Sequence, residues 1–406
     1  MPDSPRPLPT NPYRPGAGHM PPHVAGRIEE YAEFDRLLGQ TSIMENMILT
    51  GLRGLGKTVL LETLRPRAQG AGWLWAGTDL SESASVTEAN LALRLITDLS
   101  VVTSAFEIEI HSQRPGFGVP DVERVPLGYK QLLDAYDSAP GLTADKLKTV
   151  LKLAHDALTG NGHSGRVIFA YDEAQNLFDS KDRDQYPLTV LLEVFQSIQR
   201  AGVPFMLVLT GLPTLFPKLV EARTYAERMF RVITLDRLSE DESRDAILKP
   251  LEGSTIGLHG ESVDVIIRQS GGYPYFIQFI CREAFDVFIQ QATEDVIAPV
   301  PLDAIQRKLD ADFFAARWTK VTDRQRQLLY VAASLHAPEE FSLQDLAEKS
   351  KELLEKGFST SHANQILGSL TLQGLIYKNR FGKYSFAVPL LDEFILRTFN
   401  QPENLG

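Results

Sequence analysis

The sequence predicts an α/β protein on a mainly parallel sheet, followed by an all-helical segment and a small unit of helices and a hairpin. Three observations carry this. Apolar strands alternate with helical stretches up to about residue 235, the pattern of a parallel sheet with crossover helices. The run ILTGLRGLGKT, from Ile48 to Thr58, passes from an apolar strand through a glycine-rich loop into a helix. A later apolar strand, GRVIFAYDE, ends in the acidic pair Asp172 and Glu173. At 406 residues there is room for two or three domains.

Taken in order, residues 1–23 hold eight of the chain's 24 prolines and no apolar periodicity, which predicts an extended or disordered leader. His19 and His23 lie there without further metal-ligand types at a useful spacing. Ile28, Tyr31, Phe34, Leu37 and Leu38 recur at helical spacing. Met47 to Leu49 end a buried strand, and Val59 to Leu64 continue as a helix after the loop. A strand over Trp73 to Thr78 and a helix over Thr87 to Leu99 follow. Residues 103–141 break the rhythm and read as an insertion. Phe106, Ile108 and Ile110 alternate with polar residues as in a half-exposed strand, and turn residues from Pro115 to Pro126 predict a hairpin. Helices are expected over Thr143 to Leu158 and Leu188 to Arg200, with apolar strands at Pro204 to Thr210 and Phe230 to Leu235. From Ser239 to about Lys320 the pattern is all-helical, and from Val321 three short helices precede a hairpin that turns at Asn379 to Gly382.

Gly51, Gly56, Lys57 and Thr58 fit G-x-x-x-x-G-K-[ST], a loop that cradles phosphates. The chemistry needs these residue types. Glycines let successive backbone N–H groups turn inward, and the positive end of the following helix adds to them. Leu52, Arg53, Gly54, Leu55 and Val59 complete the cradle, Lys57 reaches the β- and γ-phosphates, and the Thr58 hydroxyl is a ligand for Mg²⁺. Asp172 ends a parallel strand, where ligands of open α/β sheets bind. It is expected to hold the same Mg²⁺ through water, with Glu173 polarising the attacking water of an ATP hydrolysis.

Trp73 to Thr78 is a strand between the two motifs in sequence, and a Glu follows the Asp. That order resembles the P-loop ATPases with an additional strand between the motifs, and the whole chain from Val24 resembles an AAA+ ATPase. The relatives it is most similar to are the small prokaryotic type, close to origin-recognition-like and STAND-type ATPases. The resemblance implies a nucleotide-binding domain over residues 24–238, a helical lid over 239–320 and a winged helix over 321–400. It places Gly26 and Arg27 near the adenine and makes Thr210 the residue that senses the γ-phosphate, the alternative being a threonine that satisfies its own turn. YAERMF occupies the family's arginine-finger position, so Arg228 is expected to reach a neighbouring subunit's nucleotide, with Arg223 and Arg231 as rivals. The chain departs from the initiator ATPases at SGGYPYF, where Pro274 stands in place of a lid arginine. Gly272-Tyr273-Pro274 resembles instead the GxP motif by which STAND ATPases touch the nucleotide, or is simply a helix start with its proline in the first turn. Either way, slow turnover and nucleotide-dependent switching are expected ahead of motor activity.

In DNA-binding winged helices the third helix lies in the major groove. Here that helix, Ser359 to Leu372, has no charged residue and offers Ser361, His362, Asn364 and Gln365, while the wing offers Lys378, Arg380 and Lys383. Residues 321–400 hold nine Lys/Arg and nine Asp/Glu. Phosphate neutralisation is therefore modest. DNA through residues 359–384 and a protein partner both stay open, as does a homo-oligomer formed with ATP. The run Asp172 to Gln175 is also shared with helper ATPases of transposition systems.

Composition excludes other classes. Net charge is −11, against coating of nucleic acid by the whole surface. No run of 18 apolar residues predicts a membrane span, and the N-terminus lacks the apolar core of a secretory signal. The single Cys281, in an apolar helical run, is expected to be a buried structural thiol in a reducing cytoplasm. HExxH, paired-cysteine and GxSxG patterns are missing, which argues against a metal hydrolase or serine esterase.

Overall fold

The computed structural model describes residues 10–16, 18–81, 87–112, 121–254, 257–294, 301–335, 340–379 and 382–399. Arg380 and all of the turn residues expected at 115–120 lie outside them. The chain sorts into two compact units: residues 28–51 with 60–234, and the residues up to 27 with 52–59 and those from 235 on.

The first unit is built on a five-stranded sheet. In chain order its elements are α1 (Ile28–Leu38), β1 (Asn46–Thr50), α2 (Lys57–Gly70), β2 (Leu74–Ala76), α3 (Glu88–Thr103), β3 (Glu107–Ser112), β4 (Asp121–Pro126), α4 (Tyr129–Ser138), α5 (Thr143–Gly160), β5 (Val167–Tyr171), α6 (Pro187–Arg200), β6 (Phe205–Gly211), α7 (Leu215–Ala222), α8 (Ala226–Met229) and β7 (Phe230–Thr234). The strand order is β2-β5-β6-β1-β7, and every pairing in it is parallel. All residues of β1, β5 and β6 are buried, as expected of strands covered on both faces. In the sheet β6 separates β1 from β5, while β2, the strand between the two motifs in sequence, lies on the far side of β5. Phe169, on β5, meets Phe195 and Phe205 with ring centroids 5.2 and 5.7 Å apart, locking α6 onto the sheet.

The stretch 103–141 forms the expected hairpin, β3 against β4 in antiparallel register. It also contains α4, a helix that its turn residues masked. α4 is tied into the fold by Leu132, which is fully buried. Just before it, Thr103 Oγ1 donates to the Leu127 carbonyl at 2.7 Å.

The second unit contains the loop 52–59 and the C-terminal helices. These are α9 (Glu240–Leu248), α10 (Gly260–Ser270), α11 (Pro274–Glu294), α12 (Leu302–Leu309), a π-helical turn over Asp310–Ala315, α13 (Ala316–Trp318), α14 (Asp323–Ala333), α15 (Leu343–Leu353) and α16 (Thr360–Leu372). A two-stranded hairpin, β8 (Ile376–Lys378) with β9 (Tyr384–Phe386), and a last helix α17 (Leu391–Phe399) complete it. Ser239, Thr322 and Ser342 each close a capping box at their helix starts, so three of these helices begin where the sequence marks them.

Residues 10–16 and 18–27 form no helix or strand, yet they are anchored. Tyr13 is buried and its hydroxyl donates to the Ile247 carbonyl at 2.5 Å. Asn11 Nδ2 donates to Asp286 Oδ1 at 2.7 Å, and Arg14 N donates to Gln278 Oε1 at 3.1 Å. Cys281 is buried beside Tyr13, and burial pushes its thiol pKa up, as suits a structural thiol. Among the described residues no helix is long and apolar enough to cross a membrane.

Gly77, at the end of β2, has φ +122°, and a Cβ there would stand 2.0 Å from the Ala170 carbonyl oxygen. Gly77→Ala must push β2 off β5. We expect a loss of about 3 kcal/mol in urea unfolding, with Gly162→Ala, whose Cβ would meet no atom within 4 Å, as the milder left-handed control.

Candidate nucleotide site

The loop is best built from its backbone. Gly54 and Gly56 take φ +80° and +82°, a region that favours glycine. A Cβ on Gly56 would meet nothing within 4 Å, so the cradle is open at that point. Lys57 Nζ donates to the Leu52 carbonyl at 2.8 Å, which folds the lysine across its own loop. Thr58 lies beside Gly18 of the N-terminal stretch, whose Cβ would be 3.4 Å from its methyl group.

Two attachments hold the loop from the side. Tyr275 N donates to the Gly54 carbonyl at 3.2 Å. Arg27 is buried, and its guanidinium donates to the Leu55 carbonyl at 3.0 Å and the Asp236 carbonyl at 3.1 Å. Arg53 is exposed, and a Cβ built on Gly374 would lie 3.5 Å from its guanidinium. Arg27 also holds a left-handed backbone, φ 71°, which costs a non-glycine residue about 1–2 kcal/mol. Gly26 before it is forced by packing, since a Cβ would be 2.6 Å from Glu242 Oε1 in the capping box of α9.

Around Tyr275 the aromatic side chains form a continuous row. Tyr275 meets Phe313 at 5.2 Å, Phe313 meets Phe314 at 5.0 Å, and Phe314 stacks on Phe394 of α17 at 5.0 Å. Phe313 and Phe314 are presented side by side by the π-helical turn, a geometry found mostly at functional places. Arg317 lies over the Phe313 ring at 4.4 Å, and burial followed by the charge of Arg53 lowers its pKa.

In the sheet unit, parallel register places Leu49 beside Thr210 and Thr50 beside Gly211, while Tyr171 pairs with Leu209. The strand ends therefore bring Thr50, Thr210 and Asp172 to one edge. The hydroxyls of Thr50 and Thr210 are both buried, and among the described residues neither finds a hydrogen-bond partner. An unmet buried hydroxyl costs about 1–3 kcal/mol, so these two fit an oxygen-rich ligand that comes to that edge. Asp172 is buried, and its Oδ1 accepts from Glu173 N at 2.8 Å. Glu173 is exposed and left-handed, with φ 51° and ψ 32°. Among the described residues no group of three or more His, Cys, Asp or Glu gathers for a metal. Mg²⁺ in a phosphate site asks for none, because one or two carboxylates and substrate phosphates suffice.

Structural comparison accords with this arrangement. The chain is similar to the Walker-type ATPase of Pyrococcus abyssi, with 14% identity, a TM-score of 0.56, and 92% of this chain matched to 96% of that one. It is similar to the Aeropyrum pernix ORC2 protein in its ADP form, at 16% identity and TM-score 0.54, over 95% and 98% of the two chains. The same protein with ADPNP and ADP gives 15% and 0.51 over the same shares. The chain has the AAA+ P-loop ATPase fold. Identities this low carry the fold alone. A family model described as a domain of unknown function (DUF8462) matches residues 311–395, and no curated protein matches the chain by sequence.

Within the AAA+ fold the remaining expected residues fall as follows. Arg228 is exposed on α8 and its side chain makes no hydrogen bond or ion pair among the described residues, whereas Arg231 pairs with Glu33 at 3.1 Å and Arg223 lies 4.0 Å from Glu193. Gly272 has φ +75°, and a Cβ there would be 2.5 Å from the Leu238 carbonyl, so its local packing already requires glycine. Pro274 opens α11, and the next residue, Tyr275, is the one bonded to Gly54. Sequence reasoning did not single out Tyr275 or Thr50. A tyrosine in an apolar helix carries no motif, and Thr50 reads as a strand residue.

Arg27→Ala removes two hydrogen bonds but also relieves little strain, since alanine is left-handed only at a cost. Arg27→Gly separates the terms. We expect Arg27→Ala to be less stable than wild type by about 2–3 kcal/mol and Arg27→Gly to recover about 1 kcal/mol of that in chemical denaturation.

Proposed function

We propose that the protein binds ATP and hydrolyses it slowly, acting as a nucleotide-dependent oligomeric switch associated with DNA through a winged helix at 321–400. In this reading the backbone of Gly51 to Thr58 and Lys57 hold the phosphates, with Val59 following in the helix. Thr58 and Asp172 hold a Mg²⁺, which supplies neutralisation of phosphate charge. Glu173 orients and polarises the attacking water, and Thr210 senses the γ-phosphate. Gly26, Arg27, Gly272 and Pro274 belong to the nucleotide's surroundings, and Arg228 completes the site of a neighbouring copy.

The observation that carries the reading is the attachment of the phosphate loop through Tyr275 and Arg27. A loop tied by its own carbonyls to α11 and to Arg27 transmits a change when phosphates fill it. The aromatic row from Tyr275 to Phe394 gives that change a packed path. Arg228, exposed and without a side-chain hydrogen bond or ion pair among the described residues, is available to an interface between copies. The lone, buried Cys281 accords with the cytoplasm, where we place the protein.

For DNA, α16 presents exposed Ser361, His362, Asn364 and Gln365, although Asn364 Oδ1 already accepts from Tyr384 OH at 2.9 Å. Base-edge contacts of this kind specify sequence, while the few wing cations make binding salt-sensitive. A second reading has its own observation. Leu372, 91% exposed at the end of this uncharged helix, suits a protein partner, as in a STAND-like signalling ATPase.

Lys57→Ala is expected to abolish ATP binding in calorimetric titration, and Glu173→Gln to bind ATP while turnover falls at least about a hundredfold. Unchanged ATP affinity in Lys57→Ala contradicts the reading at its base. Mixing Lys57→Ala with Arg228→Ala protein should restore part of the turnover that each lacks alone, because intact fingers then meet intact sites. No restoration would remove the trans role of Arg228. Lys378→Glu with Lys383→Glu should abolish retention of a generic duplex at low salt, and duplex binding that ignores both changes favours the protein-partner reading.

A further inference from the structure

Glu173 does not stand alone at the end of its strand. Its Oε2 accepts a hydrogen bond from Gln175 Nε2. Gln175 Oε1 accepts from Leu212 N at 3.1 Å, and the Gln175 main-chain carbonyl accepts from Lys218 Nζ at 3.0 Å. The amide is thus oriented by its surroundings. Because the Leu212 N–H can only donate, the amide oxygen must face it, and the NH₂ is left facing the carboxylate. Leu212 follows Thr210 by two residues. Gly211 between them leaves room for this link, since a Cβ there would be 2.6 Å from Gln175 Oε1.

We propose that Gln175 is the positioning residue for Glu173, tying the water-polarising carboxylate to the end of β6 that carries Thr210. The inference rests on the ATPase reading above. A glutamate side chain has three freely rotating bonds, and here it extends from an exposed, left-handed residue with little packing of its own. Gln175 restrains one carboxylate oxygen and leaves the other for water. The restraint is only as firm as Gln175 itself, and Lys218 supplies that firmness from α7. Lys218 is half-buried, and burial lowers its pKa against the opposing charge of Glu221 on the same helix. Its ammonium donates to the Gln175 carbonyl and so holds that stretch of backbone against α7. The link also joins two functions. A shift of β6 at Thr210 on meeting a γ-phosphate moves Leu212 N, and through Gln175 reorients Glu173.

The test is a double-mutant cycle in steady-state ATP hydrolysis by the full chain, with ATP affinity measured on each variant. Gln175→Ala should lower kcat on the order of tenfold with KM and ATP affinity within about twofold of wild type, the split expected when only transition-state geometry is lost. Gln175→Glu keeps the size and the Leu212 bond but turns an acceptor toward Glu173, so it should lower kcat at least as much. A merely structural role predicts that the isosteric change is the milder one. Lys218→Met, which keeps the buried stem, should lower kcat by a smaller factor. In a Glu173→Gln background, Gln175→Ala should leave the residual rate unchanged, because the carboxylate it positions is already gone. Wild-type turnover above that of Glu173→Gln, together with a Gln175→Ala kcat within twofold of wild type, overturns this inference alone. So does a Gln175→Glu kcat nearer wild type than that of Gln175→Ala, or a full tenfold loss that persists in the Glu173→Gln background. Wild-type turnover no higher than that of Glu173→Gln overturns the ATPase reading and this inference with it.

Discussion

Parallel pairing of β1 with β6 on one side and β7 on the other is the constraint on which the rest depends. Parallel strands bring like ends to one edge, so register alone decides which side chains share it. With Leu49 beside Thr210 and Tyr171 beside Leu209, the chain presents Thr50, Asp172 and Thr210 together without any of them having to seek the others. The strands hold register because they are buried from end to end. A one-residue slip would turn every apolar side chain to the wrong face. The buried hydroxyls of Thr50 and Thr210 are two of several buried polar atoms left without a hydrogen-bond partner among the described residues, and these two share the edge where Asp172 stands.

The phosphate loop is held in a different way. Its ties are a backbone hydrogen bond from Tyr275 and a bond from the buried Arg27, whose guanidinium also reaches the Asp236 carbonyl. Each such bond is worth about 1 kcal/mol net. Moving a two-state protein from one to ninety-nine per cent takes about 5.5 kcal/mol of differential binding. The ties alone therefore bias the protein and do not commit it. Aromatic pairs add about 0.5–1.5 kcal/mol each beyond their buried area, so the row from Tyr275 to Phe394 is large enough to supply the remainder if it repacks as a unit. In the proposed switch, a change in the loop reaches α11 through the bond from Tyr275 to Gly54 and needs no arginine at Pro274.

Much of the fold was legible because its signals are local. The alternation of apolar strands with helices, the glycine-rich loop and the capping boxes at Ser239, Thr322 and Ser342 each depend on a few neighbouring residues. The helix α4 was not legible, since Pro115 to Pro126 flood the same stretch with turn signals and only Leu132 of that helix is fully buried. At the site, Lys57, Asp172 and Glu173 announce themselves by residue type and spacing. Tyr275, Thr50 and Lys218 do not, because their roles come from residues far away in sequence: Gly54 for Tyr275, the strand register for Thr50, and Gln175 for Lys218. Gly272 shows the reverse case. Its place in a family-like motif pointed to nucleotide, while the structure gives it a packing duty against the Leu238 carbonyl that any glycine there would have to meet.

The central claim is that nucleotide in the loop sets the state of the whole chain, and solution mass tests it most directly. Glu173→Gln protein, which should hold ATP without consuming it, would be measured by light scattering with and without ATP, and again with a generic duplex at low salt. The account predicts a monomer without nucleotide, a higher oligomer with ATP, and retention of the duplex by that oligomer. A monomer under every condition, with ATP bound at its full affinity, would contradict it.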